Sequence, residues 1–323
     1  MAVVPAGKRF DLGGLVPMMQ ALREHPSLRV AALMAPGAFW LLLFFLAPLT
    51  IMGVISFLSR DAQGFPTPPY TLENYLTIVR DIRFAPSLSF EGGLHVRLFE
   101  GLYLDLLWRS IWLSLLSTLL TLLLAFPVAL FMAQLPRRYR NLALFAVMIP
   151  FWTNFLVRTY ALQFMLRANG PINTLLRALG LPPLELIFTP TAVMIGLVYG
   201  NLPFMILPLY TSLEKFDWTM MEAAHDLGAD TWRAFTRVML PLISPGLVAG
   251  SILTFVPAIG SYITVDLMGG GRTNLIGYSI AQQFSASVNW PFGSALALVM
   301  MVIVTIAAVL YFRSARGTQR VLI

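Results

Sequence analysis

The stretch that decides the fold is residues 222–241, EAAHDLGADTWRAFTRVMLP, which separates two long apolar stretches without charged side chains. A polar segment between two such stretches lies at a membrane surface, where it can contact a soluble partner. The residues whose identity and spacing are informative are Glu222-Ala223-Ala224, Gly228 and Val238-x-Leu240-Pro241. The two alanines allow another surface to approach closely. The segment therefore predicts a contact site outside the bilayer.

The same stretch predicts two short helices. Gly228 supplies the left-handed residue that ends the first helix, and Asp230 or Thr231 can cap the second. Two prolines, Pro241 and Pro245, are expected to break the chain before the next apolar stretch begins. The result is a rigid pair of helices at an angle, attached to the membrane at both ends.

Composition places most of the chain in lipid. Of its 323 residues, 58% are hydrophobic and 11% are charged, whereas a soluble domain carries about 25% charged residues. The chain has no cysteine, which excludes disulfides, thiolate metal sites and cysteine nucleophiles.

Windows of about 20 apolar residues predict membrane-spanning helices. Six such windows occur: Leu33–Leu58, Ser110–Pro136, Asn141–Leu166, Leu186–Leu213, Val238–Val265 and Trp290–Phe312. The third contains one charge, Arg158. The predicted fold class is therefore an all-α integral membrane protein with six transmembrane helices.

The distribution of Lys and Arg predicts the orientation of these helices. With the N-terminus in the cytoplasm, the inner segments carry 13 of these residues and the outer segments 8, five of them in the long first outer connection. Both termini and the 222–241 stretch are then cytoplasmic. The net charge of +7 is explained by topology, and no nucleic-acid partner is predicted.

The predicted segments follow from these helices. They are a cytoplasmic N-terminal arm (1–32), a first transmembrane helix (33–58), an extracytoplasmic segment (59–108), a five-helix core (109–313) that contains a cytoplasmic loop (214–246), and a cytoplasmic tail (314–323). Within them, short helices are expected at Leu15–Leu22, after Thr71 and over Gly101–Trp108. The extracytoplasmic segment either contacts a soluble partner or covers the helix ends.

Other classes of membrane protein are disfavoured by missing residues. The three histidines lie in different connections and form no cluster with metal-ligand spacing, which argues against a membrane metalloenzyme. The predicted spans hold no acid at mid-depth, and no inverted repeat is apparent, which argues against a proton-coupled secondary transporter. The chain has no Gly-x-x-x-x-Gly-Lys motif, so any ATP chemistry must belong to a partner.

The spacing Glu-Ala-Ala, three residues, Gly, nine residues, an aliphatic residue, one residue and Leu-Pro resembles the coupling loop of bacterial type I ABC importer permeases. Further stretches resemble the spermidine/putrescine branch of that family: 150–161 (PFWTNFLVRTYA), 169–173 (NGPIN), 198–210 (VYGNLPFMILPLY), 255–262 (FVPAIGSY), 266–270 (DLMGG) and 289–293 (NWPFG). The resemblance runs from about residue 145 to 300 and is weaker before that.

The resemblance implies the type I permease fold, with the first helix at the periphery and cytoplasmic coupling helices. It implies no enzymatic activity and no cofactor on this chain, since ATP and Mg belong to a partner ABC ATPase dimer. The other implied partners are a second, non-identical permease and a periplasmic binding protein in a bacterial inner membrane. The implied cargo is a polyamine. The alternatives are ferric iron, thiamine, an opine or another small organic solute.

Two sets of site residues follow. Those expected to contact the ATPase are Glu222, Ala223, Ala224, Asp226, Gly228, Leu240 and Pro241. Those expected to line a substrate path are Trp152, Asn154, Tyr160, Asn201, Tyr262 and Asp266, because polar groups inside a membrane usually face a cavity. The alternative for the second set is a structural role as interface anchors or packing aromatics.

The single charge of the third span has a candidate partner. In a straight helix, Arg158 would lie about 25 Å from Asn141, near the outer surface, where Asp266 is also expected. These two side chains are predicted to be able to form an ion pair.

Overall fold

A computed structural model describes residues 26–89 and 95–320 of the protein. It divides into two compact units, residues 1–54 and 55–323. The described part of the first unit is most of helix α1 (Pro26–Ser56), whose apolar part Leu33–Ser56 is long enough to cross a bilayer. The predicted helix at Leu15–Leu22 lies outside the described residues.

The segment after α1 adds two small hairpins to an otherwise helical protein. Strands β1 (Leu58–Arg60) and β2 (Pro66–Tyr70) pair antiparallel, as do β3 (Arg83–Ser89) and β4 (His95–Glu100). Helix α2 (Glu73–Arg80) lies between the two hairpins. The backbone N–H of Glu73 donates to Thr71 Oγ1 at 3.0 Å, so the predicted helix start after Thr71 is confirmed.

Helix α3 (Leu102–Gln134) is one continuous helix. The short helix predicted over Gly101–Trp108 is therefore not separate, because no glycine or proline interrupts the chain before Pro127. At 1.5 Å per residue its 33 residues extend about 50 Å. This length exceeds the roughly 30 Å of a bilayer core, so α3 extends beyond the apolar layer.

The third span is broken, contrary to the prediction of one straight helix over Asn141–Leu166. Helices α4 (Arg137–Trp152) and α5 (Phe155–Leu166) meet at Thr153 and Asn154, both of which have extended backbone. The bend between α4 and the stretch that begins with α5 is 89°. Asn154 Oδ1 accepts a hydrogen bond from Leu156 N–H at 2.8 Å and so caps α5. The depth of Arg158 that was estimated from a straight helix is therefore wrong.

The fifth span begins earlier than predicted. Helix α9 runs without a break over Thr231–Ile259, and Phe235–Met239 form a π-helical turn within it. In that turn the backbone N–H of Leu240 donates to Phe235 O, five residues earlier. The wider turn directly precedes Pro241 and accommodates a residue that has no N–H to donate. The expected break at Pro241 and Pro245 is therefore wrong.

The remaining helices complete the second unit. They are α6 (Pro171–Ala178), α7 (Pro190–Glu214), α8 (Thr219–Asp226), α10 (Ile263–Gly269), α11 (Ile276–Ser285) and α12 (Trp290–Arg320). Most of the predicted tail 314–323 is thus a helical continuation of the last span. Within the described residues, five helices can cross a membrane by length and composition, and the bent pair makes a sixth crossing if it is counted as one. The predicted all-α class with six spans is confirmed.

The core of the second unit is the packing of α3 and α9 on α7. Gly246 and Gly250 are four residues apart in α9, so they lie on the same face of the helix, and this face without side chains packs against α7. A methyl group at Gly246 would lie 2.5 Å from Pro208 O, and one at Gly250 would lie 2.8 Å from Met205 Sδ. Small residues at this spacing let two membrane helices approach closely. Gly246 is thus a packing residue and not a helix break.

Candidate functional site

The predicted pair of loop helices is present. Helix α8 follows Asp217, whose Oδ1 accepts hydrogen bonds from Thr219 N–H at 3.0 Å and from its hydroxyl at 2.8 Å. Gly228 has a φ of +85°, the left-handed conformation predicted for the end of α8. Asp230 Oδ1 accepts from Arg233 N–H at 2.8 Å and caps α9. We call residues 214–246 the coupling loop.

The structure separates the seven predicted contact residues into two groups. Glu222, Ala223, Asp226 and Gly228 are exposed together around the end of α8, and Ala224 is buried beneath them. Leu240 and Pro241 lie half-buried within the continuous helix α9. The first group therefore forms the outward surface, and the second group connects it to the fifth span.

Two apolar side chains on this surface were absent from the predicted contact set. Leu227 is 90% exposed and Trp232 is 71% exposed. Trp232 stacks on Phe235, with ring centres 5.7 Å apart. Large apolar side chains that remain exposed near a polar surface mark a protein contact. The sequence signal that could have identified Leu227 is its position as an apolar residue directly before Gly228, which ends the helix.

The base of the coupling loop is fixed to two helix ends. Arg140 forms an ion pair with Glu214, at 3.5 Å, and its Nε donates to Leu135 O at 2.7 Å. These contacts connect the end of α3, the start of α4 and the end of α7. Phe216 and Trp218 then pack edge to face at 5.2 Å. The base of the loop is therefore in contact with the ends of three helices, α3, α4 and α7.

A pocket of about 380 Å³ lies beside the broken third span. It is lined by Phe151, Thr153, Phe155, Arg158, Gly196, Leu197, Gly200, Asn201, Phe204, Pro257, Ser261 and Thr264. Arg158 is the only charged residue in this lining. Its guanidinium carbon lies 4.8 Å from the ring centre of Phe151 and 5.7 Å from that of Phe155. The pocket is thus aromatic on one side, with a cation above the rings.

Of the six predicted path residues, only Asn201 lines this pocket. The others are placed as follows: Trp152 is exposed beside Phe145, Asn154 caps α5, Tyr160 is exposed, Tyr262 stacks on Tyr278, and Asp266 lies in α10. Arg158 is not among the predicted path residues, although a lone charge in an apolar span is the sequence signal that marks it.

The suggested ion pair between Arg158 and Asp266 does not form in the described structure. The 89° bend turns α5 away from the direction of a straight third span. The guanidinium of Arg158 instead lies over Phe151 and Phe155, and its Nε is buried without a hydrogen-bond partner.

The apolar spans, the broken third span and the two-helix coupling loop define an integral membrane transport subunit. Residues 102–320 match the family described as "Binding-protein-dependent transport system inner membrane component". The chain belongs to this family and is a permease subunit of the ABC importer class.

Similar proteins cover nearly the whole chain. The spermidine/putrescine transport system permease protein PotB of Haemophilus influenzae is 40% identical over 87% of this chain and 92% of its own length. PotB of Escherichia coli K12 is 41% identical over 86% of this chain and 94% of its own length. The inner membrane ABC transporter permease YdcU of the same organism is 31% identical over 84% of this chain and 90% of its own length.

A solved structure confirms the fold at lower identity. A chain in the crystal structure of a bacterial alginate ABC transporter, in complex with an alginate pentasaccharide-bound periplasmic protein, superposes with a TM-score of 0.67 and 16% identity. The match covers 90% of this chain and 95% of that chain.

Proposed function

We propose that this permease imports a polyamine, such as spermidine or putrescine, across a bacterial inner membrane. The observation that carries the proposal is the 40% identity to a spermidine/putrescine permease over 87% of this chain. In this proposal a periplasmic binding protein delivers the cargo, and a second, non-identical permease completes the pathway. Both termini are cytoplasmic.

The coupling loop is the proposed docking site of the ATPase dimer. Its exposed surface combines the acid Glu222 with the small Ala223 and the apolar Leu227 and Trp232. An apolar anchor with a polar rim is the usual composition of a protein interface. ATP and Mg bind to the partner. The chain itself transmits the movement of the ATPase through α8 and α9 to the spans.

The proposed path uses aromatic faces and one carboxylate. Trp152, Tyr160 and Tyr262 expose their rings, which attract cationic amines through the negative face of the π system. Asp266 adds a half-buried carboxylate near Tyr262 in sequence. Several weak contacts of this kind suit a permease, because a cargo that is held tightly would not be released.

Uptake by the complete importer tests the cargo. Radiolabelled spermidine should enter cells that carry this importer as their only polyamine system, and Asp266→Asn should lower the uptake about fivefold to tenfold. Removal of one carboxylate from the path of a polyamine cation costs roughly 1 kcal/mol at a partly solvated site, and 1.4 kcal/mol corresponds to tenfold. Glu185→Gln, an exposed acid in the connection before α7, is the matched control with wild-type uptake. An assembled importer that takes up neither spermidine nor putrescine would exclude a polyamine cargo.

The natural absence of cysteine allows a direct test of topology. A membrane-impermeant maleimide should label Leu227→Cys only in inside-out vesicles, prepared from cells that lack the partner ATPase so that position 227 is uncovered, and it should label Leu179→Cys in intact spheroplasts. Both positions are exposed, at 90% and 66%, so both react once the reagent reaches their side. Labelling of Leu227→Cys in intact spheroplasts would contradict the proposed orientation.

A further inference from the structure

We propose that a carboxylate of the second permease subunit pairs with Arg158 in the pocket beside α5. The inference rests on the proposed function, because it requires a second permease chain. It assigns to the pocket a role in subunit recognition, with an aspartate or glutamate side chain as the ligand.

Arg158 has no ion-pair partner within the part of the chain that the structure describes. Its Nε is buried without a hydrogen bond, and its nearest partners are the rings of Phe151 and Phe155. Aromatic faces contribute a cation–π attraction but no hydrogen-bond acceptor in the plane of the guanidinium. A carboxylate supplies two acceptors in the geometry that guanidinium prefers.

Among the described residues, no acid forms an ion pair with Arg158, so we assign the counter-charge to the second permease. No acid lines the pocket. From residue 141 to residue 309 the acids are Glu185, Glu214, Asp217, Glu222, Asp226, Asp230 and Asp266. The first six lie at helix ends or in connections, and Asp266 lies in α10 without an ion pair to Arg158. A charged side chain at membrane depth without a partner is costly, so assembly has to supply one.

The depth of the pocket in the membrane excludes a lipid phosphate as the negative group that pairs with Arg158. Asn201 and Gly200 line it, and they lie near the middle of the 25-residue helix α7. Asn201 is 11 residues from Pro190, or about 16 Å along a helix of about 37 Å. A bilayer core is about 30 Å thick, so the headgroup phosphates lie roughly 15 Å away from this level.

The proposed cargo cannot supply the counter-charge either. A polyamine is a cation, and Arg158 repels it. The lining of the pocket, in contrast, suits another helix: its aromatic residues Phe155 and Phe204 are 39% and 37% exposed. A methyl group added at Gly200, which lines the pocket, would lie 3.6 Å from Phe155 Cε2, an ordinary contact distance, so this side of the pocket has space for a carboxylate side chain. A partner helix can therefore cover the aromatic lining while its acid reaches Arg158.

The pair would also specify which chains assemble. In a symmetric dimer a residue of one copy meets a different residue of the other, so this chain could pair with itself only if one of its own acids lay opposite Arg158. Like charges at an interface disfavour the wrong partner, and an opposite charge on the right partner favours it. A second permease with an acid opposite Arg158 is thus favoured over a chain that places a basic residue there.

Charge removal and charge reversal in the complete importer test the pair. Arg158→Gln should lower uptake of the importer's cargo more than tenfold, and Arg158→Lys, which keeps the charge, should stay within about threefold of wild type. Arg167→Gln is the matched control, because Arg167 is exposed at the end of the same half-helix. Each membrane-embedded carboxylate of the second permease is replaced by its amide in turn.

The expected pattern identifies one carboxylate. The amide variant of that carboxylate should lower uptake as much as Arg158→Gln does. The double variant that carries both changes should take up no less cargo than either single variant. Arg158→Glu combined with arginine at the partner position should raise uptake at least fivefold over Arg158→Glu alone. Wild-type uptake and a co-purified second permease show that the proposed function holds. When wild-type uptake and the co-purified second permease are both observed, equal uptake by Arg158→Gln and Arg167→Gln would overturn the pairing. A loss of uptake in Arg158→Gln that is not coupled to any carboxylate of the second permease would also overturn it. Coupling to Asp266 of a second copy of this chain would overturn the non-identical partner.

Discussion

Gly246→Ala should lower the amount of importer in the membrane, and its uptake, more than tenfold. The added methyl group would overlap Ser212 and lie 2.5 Å from Pro208 O, which belongs to the backbone of α7 and cannot rotate away. The helices α7 and α9 must then separate along the core of the second unit. Overpacking of a well-filled core costs about 1–3 kcal/mol, and contact with backbone leaves little relief. Quantitative immunoblots of membranes and uptake per cell measure the effect.

The same substitution at Gly37 is the matched control. Gly37 also lies inside an apolar helix, and nothing lies within 4 Å of a methyl group placed there. Gly37→Ala should therefore leave both the amount of importer and the uptake unchanged. Normal levels of the Gly246→Ala importer would show that α7 and α9 do not approach as closely as described.

Leu227→Ser should separate the permease from its ATPase without removing it from the membrane. Leu227 is 90% exposed, so the substitution breaks no internal packing, but it removes the most exposed apolar anchor of the coupling loop. Anchor residues at protein interfaces contribute at least about 2 kcal/mol, which corresponds to roughly 30-fold weaker binding. Co-purification of the ATPase with a tagged permease should fall accordingly, and uptake should fall with it.

Leu179→Ser controls for the loss of an exposed leucine. Leu179 is 66% exposed and follows α6 in a different connection. Its replacement should change neither ATPase co-purification nor uptake. Full retention of the ATPase by Leu227→Ser would place the docking surface elsewhere in the chain.

The sequence predicts the local chemistry of the coupling loop well. Gly228 has the left-handed backbone that a helix end requires, and Asp230 caps the next helix with its side chain. Both features depend on a few neighbouring residues, so a local pattern is sufficient to predict them. The number of spans is also predictable, because the length of an apolar run reflects the thickness of the bilayer.

Features that depend on distant packing were not predictable in the same way. Pro150 and Asn154 permit the break between α4 and α5, but hydropathy continues across it and indicates one helix. Pro241 and Pro245 suggest a break, yet the π-helical turn and the fit of Gly246 against α7 keep α9 continuous. At Pro241 and Pro245 the tertiary environment overrides the local signal, whereas at Asn154 a local side-chain cap overrides the hydropathy. The position of Arg158 over two phenylalanine rings depends on the same bend.

The π-helical turn at Phe235–Met239 has a consequence for the angular relation between the two ends of α9. Such a turn holds one residue more than an α-helical turn, and one residue corresponds to about 100° around the axis. The end that presents Trp232 is therefore rotated relative to the end that carries Gly246. Deletion of a single residue here would leave a helix of nearly the same length but would turn the surface that carries Trp232, the proposed docking surface, to a different direction. The turn therefore sets the rotation between the two ends of α9. One continuous helix can then face the proposed ATPase at its Trp232 end and α7 at its Gly246 end, although these two surfaces point in different directions.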